Sequence, residues 1–136
     1  MKRRDLLISG LVLAAASAHG HAALASGGEG GAAKKVTPYV DVPLVTATIM
    51  RPNGRRGVLS LESGLYTTDP KLNDLVQRSL PRLRAAYFER IQAYAVGLTP
   101  GVLPNADFVA RELQMVTDRQ LGRSGARFLL GSLVIN

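Results

Sequence analysis

Between residues 72 and 98, the side chains Leu72, Leu75, Val76, Leu80, Leu83, Tyr87, Ile91, Tyr94 and Leu98 recur at steps of three or four. That spacing aligns them along one face of an α-helix. Such a helix draws most of its stability from whatever covers its stripe. The rest of the chain must therefore supply an apolar surface about 40 Å long, at ~1.5 Å of rise per residue. Thr68, Asp69 and Pro70 mark the start, with a capping side chain followed by a proline at the first turn, where its missing N–H is not required. Pro81 lies inside the run, where it removes one backbone hydrogen bond and crowds the carbonyl of Gln77, so a structural kink or a break is expected there.

Candidate covering strands flank the helix. From Tyr39, the residues Val40, Val42, Leu44 or Val45, Ala47 and Ile49 alternate with polar positions, with a phase change around Pro43. Period-two alternation predicts a strand, and the proline predicts an edge strand or a bulge. Residues 51–57 hold Asn53-Gly54, which suits a tight reversal. Leu59, Leu61, Ser63 and Leu65 then fall on one face of a returning strand, with Ser60, Glu62, Gly64 and Tyr66 on the other. Leu98 to Pro104 reads as a loop with two prolines, and Asn105 as the N-cap of a second helix. The inner face of that helix is predicted as Phe108 or Val109, Leu113, Val116, and Gln120 or Leu121, with Asp107 and Arg111 as a weak outer pair. Gly122 to Gly125 ends it. Ala126 to Ile135 is a near-continuous apolar run, predicted as a strand buried on both faces and placed centrally in the sheet. The order β-β-α-α-β indicates the α+β class: a β-hairpin, a kinked long helix, a second helix and a C-terminal buried strand.

The first 25 residues have a different character. Lys2, Arg3 and Arg4 precede a 13-residue apolar run from Leu6 to Ala18, followed by Ala23-Leu24-Ala25. A basic start, a short apolar stretch and a small-x-small site make up an export signal peptide. A helix of that length reaches about 20 Å, short of the ~30 Å hydrocarbon layer. The adjacent Arg3 and Arg4 resemble a twin-arginine (Tat) export signal, with Ala23 and Ala25 as the cleavage site. The general secretory route and an uncleaved anchor remain alternatives. Residues 26–38, rich in glycine, are predicted as a flexible linker, and residues 39–136 as the folded domain, located in the periplasm.

Reactive chemistry is sparse. There is no cysteine, so no disulfide, thiolate-bound metal or thiol nucleophile exists. Both histidines, His19 and His21, lie in the leader, and cleavage would remove the commonest general base. No nucleophile elbow, phosphate loop or dinucleotide fingerprint is present. The carboxylates are scattered, so no catalytic residue, metal site or cofactor is expected. The formal net charge is +7. Arg51, Arg55 and Arg56 crowd the hairpin tip, while Arg78, Arg82, Arg84 and Arg90 follow along the long helix. They form either a solvated face or a contact with an acidic partner or anionic headgroups. Nucleic acid is not expected, because interleaved stacking aromatics are lacking; Tyr87, Phe88 and Tyr94 suit core packing instead.

The segment Thr68-Asp69-Pro70-Lys71-Leu72 through Ser79-Leu80-Pro81-Arg82-Leu83-Arg84 resembles the FliL family of flagellar basal-body-associated proteins. Asp69, Pro70 and Leu72 match the family's helix start, Pro81, Leu83 and Arg84 its mid-helix motif, and Phe128 to Ile135 its closing strand. The similarity runs from about Tyr39 to Asn136. It implies a periplasmic domain of stomatin-like (SPFH-like) α+β fold, without a catalytic site, that self-associates and supports the stator units of the flagellar motor. Two function classes follow. One is a structural or interaction protein that forms a homo-oligomer or binds an inner-membrane complex through Arg78, Arg82 and Arg84 or through Arg55 and Arg56. The other is an exported envelope domain, unrelated to motility, whose basic surface meets anionic lipid or an acidic ligand.

Overall fold

In the computed structural model, which describes residues 37–136, the long stripe forms one helix, α1, over Pro70–Gly97. Asp69 is its N-cap, its carboxylate accepting from Lys71 N–H, with Pro70 in the first turn. Leu72, Val76, Leu83, Tyr87, Ile91 and Ala95 of α1 are buried. The break considered at Pro81 does not occur, because α1 is continuous through it. The proline ring is exposed, and so is Gln77, whose carbonyl loses its helical partner.

The covering surface is a three-stranded antiparallel sheet of β1 (Tyr39–Met50), β2 (Arg56–Tyr66) and β3 (Arg127–Ile135), in the spatial order β1-β2-β3. The β1–β2 register shifts between Val42 and Val45, where Pro43 and Leu44 form the bulge and leave Val45, rather than Leu44, facing inward. The hairpin turns through Gly54 at φ 74°, and Asn53 Oδ1 accepts from Arg55 N–H at 3.0 Å. Leu59, Leu61, Ser63 and Leu65 are buried on one face of β2, as the alternation predicts. Gly64, on the opposite face, lies under the Tyr39 ring, which occupies the space a side chain there would need.

One placement is overturned. β3 lies at an edge of the sheet, beside β2, not in its centre. Phe128 is buried, but Leu129, Leu130, Leu133 and Ile135 are only partly so. The hairpin already excludes a central β3 in a sheet of three strands, since β1 and β2 are hydrogen-bonded neighbours.

The second helix, α2, spans Ala106–Leu121, with Asn105 as N-cap and Gly122 as a left-handed C-cap. It packs on α1 and β3, while α1 packs on β1. Its buried face is Val109, Leu113, Thr117 and Leu121. Thr117 takes the inner place predicted for Val116, and Phe108 and Phe88 are exposed. The Asp107–Arg111 pair does not form; the ion pairs among the described residues are Arg90–Glu112 and Arg123–Asp69.

The export leader and its residues Arg3, Arg4, Ala23 and Ala25 fall outside the described residues, as does most of the 26–38 linker. Thr37 and Pro38 are tied to the fold: the Thr37 carbonyl accepts from Asn73 Nδ2 at 3.0 Å, and the Pro38 carbonyl from Thr67 N–H at 2.8 Å. No helix among the described residues is long and apolar enough to cross a membrane.

Pro81→Ala should raise stability by about 2 kcal/mol. It recovers a propensity difference of ~3 kcal/mol, less the ~1 kcal/mol that proline removes from unfolded-chain entropy. The midpoint of chemical denaturation measures this, and an unchanged or lower midpoint would show that Pro81 sits in α1 without strain.

Candidate functional site

The basic residues do not form one patch. Arg82 and Arg84 are two positions apart on α1, hence on different sides of it. Arg82 Nη2 donates to the Gln120 carbonyl at 2.8 Å, at the end of α2. Arg84 Nη2 donates to the Leu44 carbonyl at 3.4 Å, at the β1 bulge. Arg78 Nε donates to the Asp74 carbonyl in its own helix at 3.3 Å. Two of the three thus bridge α1 to a neighbouring element. Arg55 and Arg56 are exposed at the hairpin tip, outside both ion pairs.

Buried polar contacts concentrate where the helices meet. The Tyr87 hydroxyl hydrogen-bonds Thr117 Oγ1, and Thr117 Oγ1 donates to the Leu113 carbonyl at 2.7 Å. With the single Thr117 proton so engaged, Tyr87 is the donor to Thr117. Burial pushes the Tyr87 phenol up to about 12, and the Asp118 charge adds to the rise. Gln114 joins α2 to the start of β3: its Nε2 donates to the Ala126 carbonyl at 2.9 Å and its Oε1 accepts from Phe128 N–H at 2.8 Å. Asn73 is fully buried, donating to the Thr37 carbonyl and accepting from Gln77. The sequence reading missed Asn73, Gln114 and Thr117. Their signal was a polar residue on or beside each apolar stripe. No group of three or more His, Cys, Asp or Glu that could hold a metal occurs among the described residues.

The two sheet edges are treated differently. On β1, Pro43 and the bulge interrupt the ladder, and Arg84 occupies the Leu44 carbonyl, which are standard defences against strand addition. The β3 edge holds no proline, and no charge follows Arg127. Val58 and Asn136 exchange both N–H···O bonds at 2.9 Å. Antiparallel alternation then turns the backbone groups of Leu133 and Ile135 away from β2, towards the open edge. A second feature lies at the end of the molecule where the hairpin turn meets the α1–α2 loop: an apolar cavity of about 200 Å³ with Arg51 in its wall. The Arg51 Nε and Ser63 Oγ atoms are buried without hydrogen-bond partners. The chain matches no protein-family model, and no curated protein matches it.

Thr117→Val should cost more than Tyr87→Phe, about 1–3 against about 1 kcal/mol, because only the former strands a buried hydroxyl. Folding raises the Tyr87 pKa, so its contribution is complete below the unfolded value of about 10 and is lost as pH rises towards about 12. Wild type should therefore lose on the order of 2 kcal/mol relative to Tyr87→Phe across that window. Parallel denaturation curves from pH 9 to 12 test this; a constant difference would refute it.

Proposed function

We propose that this chain is a non-catalytic interaction protein of the periplasm, with an SPFH-like domain of the FliL kind, serving the flagellar stator or basal body as a structural element. The carrying observation is the asymmetry of the sheet edges. β1 is interrupted and capped, while β3 presents unpaired backbone groups and partly exposed leucines. An open apolar edge is a template for another strand, and a second copy of the same chain offers a matching one. The arrangement also agrees with the resemblance in element order, and Asp69 and Pro70 start α1 as its motif implies.

A second reading, contact with anionic lipid or an acidic ligand through Arg55 and Arg56, draws on their exposure and on their place outside both ion pairs. Salt separates the two. Strand pairing rests on backbone hydrogen bonds and apolar burial, whereas sedimentation with anionic vesicles falls off as salt shortens the screening length.

Light scattering across a concentration series should show salt-insensitive self-association. Val134→Lys, an exposed position on the open strand, should weaken it with the denaturation midpoint unchanged. Monomers at every concentration would remove the β3 edge from the proposal. A fluorescent fusion compatible with Tat export should form foci that depend on the flagellum; diffuse envelope signal would retire the motor role.

A further inference from the structure

The loop between the helices is built as a fixed wall. Leu98 N–H donates to Ala95 at 3.2 Å, Val102 N–H to Thr99 at 3.1 Å, and Asn105 N–H to the Tyr94 hydroxyl at 2.8 Å. Gly101, at φ 86°, has no side chain to hold the loop off the hairpin turn; a Cβ there would lie 3.2 Å from Pro52 Cγ. Between loop and turn lies the cavity of about 200 Å³, lined by Ile49, Leu98, Val102, Leu103 and Ile135, with Arg51 as its charged member. No acidic side chain among the described residues lines it. Arg51 packs its stem against Gly57, where a Cβ would come within 2.8 Å of Nε, and that Nε is shut off from water with no acceptor. Arg55 and Arg56 share the same turn, and Leu103 at 84% and Val102 at 53% exposure leave the rim apolar and uncovered.

A guanidinium in an apolar wall with no acidic side chain beside it favours an anion there. An apolar cavity of about 150 Å³ already takes up a molecule the size of benzene. One kind of molecule answers both conditions: an apolar chain that ends in an anion. The geometry points to a binding site for a medium-chain aliphatic carboxylate, its chain in the cavity and its carboxylate on Arg51. The guanidinium fork matches a carboxylate in shape as well as charge. The volume suits a chain of roughly six to eight carbons, so the occupant is a free short amphiphile and not the long acyl chain of a bilayer lipid. This inference stands apart from the motility reading and from the β3 edge.

Amide NMR shifts of the full chain, followed during titration with octanoate, octanol and acetate, test it. Octanoate should give saturable shifts at Ile49, Leu98, Val102 and Ile135. Octanol, lacking the charge, should bind about tenfold more weakly or worse, as befits loss of a charge-assisted hydrogen bond, and acetate should leave these amides unmoved. Arg51→Gln should reduce octanoate to the level of octanol, and Val102→Trp, which fills the cavity from the rim, should abolish both. Equal binding of octanoate and octanol by the wild type would overturn the proposal. So would the absence of saturable shifts, or shifts that appear only with phosphatidylglycerol vesicles or track protein concentration instead of octanoate.

Discussion

Tyr87 holds α1, α2 and β3 in register. Its ring meets Phe128 of β3 edge-on, with centroids 5.5 Å apart and planes at 83°. Its hydroxyl reaches Thr117 of α2, and its backbone belongs to α1. A phenol can satisfy all three because its body is apolar and its tip is polar. The hydroxyl lies where α1 and α2 exclude water, so the bond to Thr117 has no solvent competitor, and the upward shift of the phenol reflects the same exclusion. Gln114 sits three residues before Thr117 on the same helix and fixes Phe128 N–H at 2.8 Å. The aromatic contact and the polar bond thus constrain β3 from two sides.

That constraint decides which edge of the sheet stays open. Hydrogen bonds from α2 hold the beginning of β3, and the β1 edge is disrupted by Pro43 and by Arg84 on the Leu44 carbonyl. The remaining place for β3 is the far side of β2. The inner side chains Leu130, Leu133 and Ile135 then pack against the core only partly. The strand is as apolar as a central one while lying at an edge, and this mismatch is what the proposed self-association would relieve.

Much of the fold was legible because local chemistry specifies it. Asp69-Pro70, Asn53-Gly54, Asn105 and Gly122 each suit one backbone geometry, and each occupies it. The phase change at Pro43 announced the bulge, though only packing could choose Val45 over Leu44. The apolar run of β3 carries no mark of edge or centre, but the expected hairpin already leaves a third strand only an edge. Buried polar positions were harder still: Asn73 and Thr117 pass for surface residues until the groups they satisfy, the Thr37 and Leu113 carbonyls, are in place. The arginines of α1 looked like one surface in sequence. On a helix, Arg82 and Arg84 diverge, and each finds a carbonyl on a different neighbour.

The cavity was illegible for a related reason, since it belongs to no single element. Ile49 ends β1, Leu98 and Val102 belong to the loop, and Ile135 ends β3. Each reads as ordinary core or loop sequence. A void forms there because the loop is held rigid by its own hydrogen bonds and by the close approach of Gly101 to Pro52, so it cannot collapse onto the strand ends. A domain of this size pays in lost dispersion contacts for every unfilled space. Here the unfilled space adjoins the Arg51 guanidinium, and the proposed amphiphilic anion would meet the apolar walls and that charge together.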